Sequence, residues 1–70
     1  MAKMYVILDK VLSERNMTQK QLAELTGLRP ATISEICKNQ RTTLNKEHLN
    51  KIANVLNITD ITHLIEFKIE

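Results

Sequence analysis

The chain has 70 residues, enough for a single domain over residues 1–70 with one small core. Of its residues 43% are apolar, but Tyr5 and Phe67 are the only aromatics, so we expect an aliphatic core. One cysteine excludes a disulfide framework, and two scattered histidines do not have the spacing of zinc ligands. The apolar run at residues 4–8 is too short for a signal sequence or a membrane span. We therefore expect a cytoplasmic protein without metal or cofactor.

The net charge of +2 says little by itself, but the charge is unevenly distributed. Residues 18–46 carry five cations and two acids, whereas residues 47–70 carry two cations and four acids. Between residues 38 and 46 there are three cations and no acid, an arrangement that suits contact with a polyanion. The alternative is a solvated loop whose charge only maintains solubility.

The chain begins with a short β-rich segment, Lys3 to Val6, which predicts a strand. Helical spacing then places Leu8, Val11 and Leu12 on one face of a first helix. Asn16 follows that face and is suited to end the helix, because asparagine tolerates the left-handed conformation.

A helix–turn–helix unit is predicted over residues 18–39. Thr18 and Gln21 have the spacing of a capping box, which predicts the start of a second helix over 19–26. Gly27, the only glycine, lies where this helix must turn, and Pro30 suits the first position of a third helix over 30–38. The predicted core residues of the two helices are Leu22, Ala23, Leu25, Ile33 and Ile36.

The C-terminal part predicts two further helices and a strand. Asn45 can cap a fourth helix with a core stripe at Leu49, Ile52, Ala53 and Leu56. Thr59 is predicted to cap a short fifth helix over 60–64. From residue 65 to residue 70 apolar and charged residues alternate, which predicts a strand with one buried face. This strand is expected to pair with residues 3–6, within one chain or between two subunits.

Residues 8–64 resemble the Cro-type (Xre-like) helix-turn-helix family of small bacterial and phage repressors. The matching residues are Met17-Thr18-Gln19, Leu22-Ala23, Gly27-Leu28, Ala31-Thr32-Ile33-Ser34, Leu49, Ile52-Ala53, Leu56 and Thr59-Asp60. The resemblance implies an all-α, five-helix, lambda-repressor-like DNA-binding domain, here with a short strand at each terminus. It also implies a sequence-specific transcriptional regulator, a repressor, that inserts helix 30–38 into the major groove.

The resemblance implies a set of DNA-binding positions. Gln19 and Lys38 correspond to phosphate-contacting positions, and Arg41 lies in the adjacent basic loop. Base-reading positions fall on the third helix, and Arg29 stands at its entrance. The full predicted set is Gln19, Arg29, Pro30, Ala31, Thr32, Ser34, Glu35, Lys38 and Arg41.

Three of these positions depart from the family pattern. Arg29 replaces the usual serine cap and cannot accept a hydrogen bond from the helix, which suggests that it contacts a guanine edge or a phosphate. The alternative is a solvated arginine that arose by drift and has no contact with DNA. Pro30 leaves only apolar contact, such as with a thymine methyl group. Glu35 could accept from cytosine N4 or pair with Lys38, and we favour the pair with Lys38.

No pattern in the chain indicates an enzyme. Cys37 has no partner group at a recognisable spacing and is expected to pack in the core. The expected partner is double-stranded DNA with a pseudo-palindromic operator, bound by a homodimer through the strands, helix five or both, with a protein partner as one means of control. The alternative function is a protein-interaction module, a partner of another regulator or of a toxin, that has lost base reading.

Overall fold

A computed structural model describes residues 1–69 of the chain, and the described part is mostly helical. The elements, in chain order, are β1 (Ala2–Val6), α1 (Leu8–Glu14), α2 (Gln19–Thr26), α3 (Pro30–Cys37), α4 (Lys46–Leu56), a 3-10 turn (Ile61–His63) and β2 (Ile65–Ile69). The domain is elongated, with extents of 36 × 21 × 20 Å. None of the described helices has the length and apolar character needed to cross a bilayer.

Local sequence explains where the helices begin. Thr18 accepts a hydrogen bond from the Gln21 amide and the Gln21 side chain accepts one from the Thr18 amide, so the predicted capping box starts α2. The Asn45 side chain accepts from the amides of Glu47 and His48 and caps α4, also as predicted.

Three asparagines end helices in the same way. Asn16, Asn39 and Asn57 have φ angles of 54°, 55° and 55°, in the left-handed region. In each case the amide of the next residue donates to a carbonyl five positions earlier, as in a Schellman motif. Gly27, at φ 77°, ends α2 with a single bond from its amide to the Ala23 carbonyl. The predicted helix ends at these four residues are confirmed.

One aliphatic core holds the helices together. Its largest fully buried side chains are Leu8, Leu22, Ile33, Ile52 and Leu56. α2 packs on both α3 and α4, and α1 closes against α3. Burying a side chain of this size contributes about 1.5–3 kcal/mol, so these few residues supply much of the stability of so small a domain.

The two termini pair with each other inside one chain. β1 and β2 form an antiparallel two-stranded sheet in which Ala2 lies opposite Ile69 and Val6 lies opposite Ile65. The Ile7 amide extends the pairing by donating to the Leu64 carbonyl at 2.7 Å. Of the two pairing arrangements that the sequence allows, the structure has the intrachain one.

The prediction of five helices is wrong: the described residues contain four α-helices and one 3-10 turn. The predicted fifth helix, 60–64, is that turn, and Asp60 rather than Thr59 caps it by accepting from the Thr62 amide. The physical reason is the sheet. Because the Leu64 carbonyl accepts a hydrogen bond from the Ile7 amide, the chain enters the sheet directly after residue 63, and residues 61–63 close the tighter i→i+3 turn in place of an α-helix.

Two predicted burials are also wrong. Leu25 is 60% exposed on α2, because the core side of this short helix is filled by Leu22 and Ala23. The apolar face of β2 is covered only at its inner end, where Ile65 packs against the core. Phe67 and Ile69 are 70% and 88% exposed, since the sheet extends past the helices.

Candidate nucleic-acid interface

The third helix is fixed by one side and open on the other. Ile33, Ile36 and Cys37 are buried against the core. At 100° per residue, the side opposite to them carries Ala31, Glu35 and Lys38. Ala31 and Lys38 are exposed and Glu35 is half-buried. A helix held in this way presents a rigid outer face, and a major groove is wide enough to admit it.

The start of α3 has the features that the sequence predicted. Arg29 occupies the cap position in extended conformation and its side chain makes no capping hydrogen bond. Pro30 takes the first helical position, where an amide would have no partner inside the helix. Arg29 is exposed and lies directly before the first residue of α3.

The predicted DNA-binding residues are all accessible to some degree. Arg29, Pro30, Ala31, Lys38 and Arg41 are exposed, whereas Gln19, Thr32, Ser34 and Glu35 are half-buried. Within residues 1–69 the cations Arg29 and Lys38 form no ion pair, so their charge is available to a polyanion. These two cations stand at the two ends of α3.

The structure gives Glu35 a different partner from the predicted one. Its carboxylate accepts a hydrogen bond from Arg41 Nε and forms an ion pair with it, so the expected pair with Lys38 is wrong. The loop after α3 turns back at Asn39, which brings Arg41 over the helix end. The hydrogen bond from Arg41 lowers the pKa of the Glu35 carboxyl, and the same contact raises the pKa of Arg41.

This ion pair changes the electrostatics of the face. The negative charge of Glu35 is offset where it would otherwise repel a phosphate, while Lys38 stays unpaired. Only Nε of Arg41 is used in the pair, so the two terminal nitrogens of the guanidinium remain as donors.

The predicted residues fall into three groups in space. Thr32, Glu35 and Arg41 line one cavity together with side chains of the following loop and the first turns of α4. Arg29, Pro30, Ala31, Ser34 and Lys38 lie outside that cavity. Gln19 belongs to a different element and opens α2 directly after its cap, where the first helical amides point outward.

Asn39 has a second role that the sequence did not reveal, in addition to ending α3. The Asn39 side chain accepts a hydrogen bond from the Val6 amide at 2.7 Å and donates one to the Val6 carbonyl at 3.0 Å. The backbone amide of Ile7 points toward β2, and in a strand the backbone groups of successive residues point to opposite edges. The amide and carbonyl of Val6 therefore point to the edge of β1 that faces away from β2. Asn39 thereby ties the end of α3 to the first strand, over a separation of 33 residues that no local pattern reveals.

Cys37 is part of the packing of α3, as predicted. It is buried, and burial, with a smaller effect from Asp9, raises the pKa of its thiol from 9.0 to about 11. A thiol with so high a pKa is a poor nucleophile at neutral pH.

Comparison with known proteins agrees with this geometry. No curated protein and no solved structure gives a significant match to the chain. The model of the Cro/C1-type helix-turn-helix DNA-binding domain, however, matches residues 8–70. The match includes all four helices and the turn that joins α2 to α3. The chain is therefore a member of the Cro/C1-type helix-turn-helix DNA-binding family, and it is a DNA-binding regulator.

Proposed function

We propose that this protein is a transcriptional repressor that inserts α3 into the major groove of a pseudo-palindromic operator and binds there as a homodimer. The observation that carries the proposal is the outer face of α3, which is rigidly backed by Ile33 and Ile36, on a helix whose two ends carry the unpaired cations Arg29 and Lys38. Repression follows if the domain bound at the operator excludes polymerase from it.

Contacts are divided between positioning and base reading. Lys38, Gln19 and the free donors of Arg41 are assigned to phosphates, which fix the orientation of the domain on the duplex. Arg29 is assigned to a guanine edge or a phosphate, and Pro30 with Ala31 to apolar contact with a thymine methyl group. Ser34 and Thr32 are the remaining polar candidates on the helix.

The two-fold arrangement rests on area and symmetry. A single module of this type covers too little DNA for tight specific binding, and two copies related by a two-fold axis read two half-sites about one helical turn apart. Homodimerisation is therefore included in the proposal.

The substitution Arg29→Ser separates a role in DNA binding from a role in folding. Serine restores the missing cap of α3, so we expect the free energy of unfolding to rise by about 0.5–2 kcal/mol. DNA binding should weaken at the same time, by about 1–3 kcal/mol at one base position if the guanidinium reads a base. Opposite signs for stability and affinity cannot come from damage to the fold.

The assay is fluorescence anisotropy with duplexes selected from a random pool by the wild-type protein, at several salt concentrations. Arg15→Ser, which removes the same charge at the end of α1, is the matched control and should leave affinity nearly unchanged. Lys38→Ala should weaken binding to all sequences alike and reduce the salt slope by about one. If Arg29→Ser binds the selected duplex as tightly as the wild type, Arg29 has no role in DNA binding.

A second candidate function is a protein-interaction module that keeps the fold without base reading. It is favoured by the small number of hydrogen-bonding groups on the outer face, where Pro30 and Ala31 are apolar and Glu35 is held by Arg41. Selection from the random pool decides between the two: a repressor enriches one sequence family, whereas an interaction module enriches none.

A further inference from the structure

The sheet of β1 and β2 has one polar face and one apolar face. The apolar side chains Ala2, Met4 and Val6 of β1 lie on the same face as Ile65, Phe67 and Ile69 of β2, because residues opposite each other across the ladder share a face. Only the inner pair, Val6 and Ile65, packs against the core. The remaining four residues, Ala2, Met4, Phe67 and Ile69, form what we term the sheet patch.

The polar face needs no further partner. The ammonium groups of Lys3 and Lys68 lie 5.6 and 5.0 Å from the centre of the Tyr5 ring, and Lys68 pairs with Glu66 at 3.7 Å. The contact between Lys68 and Tyr5 joins the two strands, and all three contacts suit a face that remains in water.

The sheet patch is exposed on the part of the sheet that does not pack against the helices. Met4 is 46% exposed, and Phe67 and Ile69 are more exposed still. A two-stranded sheet is marginal by itself in water and gains stability when an apolar face is covered. An aromatic side chain offers about 150–250 Å², so the four residues together expose on the order of 400 Å² of mainly apolar surface.

We infer that the sheet patch is the surface through which two copies of this chain associate, face to face. In a two-fold interface the same patch is used by both partners, so it must be complementary to itself. An uncharged apolar patch meets this condition, whereas the opposite face, with Lys3 and Lys68, would bring like charges together.

The size of the patch sets the strength of association. Two such patches would bury on the order of 800 Å² in total, below the 1,200–2,000 Å² of a standard stable interface. The free protein therefore dimerises weakly, with a dissociation constant in the micromolar range or above. On DNA, two neighbouring half-sites hold two copies next to each other and so favour the dimer. Because this inference rests on the homodimer of the proposed function, the interface must be measured in the absence of DNA.

The position of the patch connects it to the DNA-facing helix. Asn39 joins the end of α3 to Val6, the residue of β1 that follows the patch toward the core. An interface between two sheet patches therefore holds the two α3 helices in a defined relation to each other.

The test is sedimentation equilibrium of the full chain without DNA, up to millimolar concentration. Phe67→Asp and Ile69→Asp should each raise the dimer dissociation constant at least tenfold, because each buries an unpaired carboxylate in the interface. Leu25→Asp is the matched control, since it adds the same charge at an exposed apolar residue outside the patch, and it should dimerise like the wild type. Circular dichroism of each variant establishes that the helices are intact.

A second measurement uses the unmodified protein. In methyl NMR spectra, the Met4 resonance should shift as protein concentration rises, while that of Met17, which precedes α2 and packs against the core outside the patch, should not. A wild-type chain that stays monomeric at millimolar concentration with a constant Met4 resonance overturns the inference, as do aspartate variants that dimerise like the wild type. Neither outcome depends on DNA, so a failure of the proposed function appears separately, as the absence of any selected duplex.

Discussion

The link from Asn39 to Val6 makes a quantitative prediction about stability. Asn39→Gly removes both side-chain hydrogen bonds while keeping a residue that accepts the left-handed conformation at φ 55°. Val6 is only 5% exposed, so water replaces the lost partners poorly. At about 0.5–1.5 kcal/mol for each hydrogen bond, the variant should lose about 2 kcal/mol of its free energy of unfolding.

The chain contains its own control for this measurement. Asn57 has the same φ angle at the end of α4, but its side chain forms no hydrogen bond within the described residues. Asn57→Gly therefore carries the same change in backbone freedom without the loss of a link. The difference between the two variants isolates the two hydrogen bonds to Val6.

Thermal unfolding followed by circular dichroism provides the assay. For a domain of 60–100 residues, 1 kcal/mol shifts the melting temperature by about 4–8 °C, so Asn39→Gly should melt about 8–16 °C below Asn57→Gly. Urea titration should give the same difference in free energy. If the two variants melt within about 2 °C of each other, the link contributes nothing to stability and the reasoning is refuted.

Three further predictions concern other parts of the chain. Glu35→Gln should free Arg41 and remove an acid from the outer face, so DNA affinity should rise severalfold and the salt slope steepen by about one, measured by anisotropy; an unchanged slope would contradict this. Gly27→Ala should cost about 1 kcal/mol in urea titrations, and Gly27→Asn less, because a Cβ would meet no atom within 4 Å and only the φ angle of 77° is strained. Cys37, with a pKa raised to about 11, should react with iodoacetamide at pH 8 about a hundredfold more slowly than in the urea-unfolded chain; equal rates would show that the thiol is accessible.

The sequence determined the helical elements because their signals are local. The capping box at Thr18 and Gln21, the proline at the start of α3 and the left-handed residues at the helix ends act within a few positions of each other. The same local pattern placed Ile33 and Ile36 in the core and Arg29 at an uncapped helix start. The family assignment rests on these positions and is confirmed by the match over residues 8–70.

Only the tertiary structure decided the features that depend on distant parts of the chain. Pairing of the termini begins at Leu64, so residues 61–63 form a 3-10 turn in place of the predicted fifth helix, and the sheet carries Phe67 beyond the reach of the core. The loop after α3 selected Arg41 over Lys38 as the partner of Glu35. Asn39 illustrates both cases: its left-handed conformation could be predicted from residue type, whereas its two bonds to Val6 depend on how strand and helix meet in space.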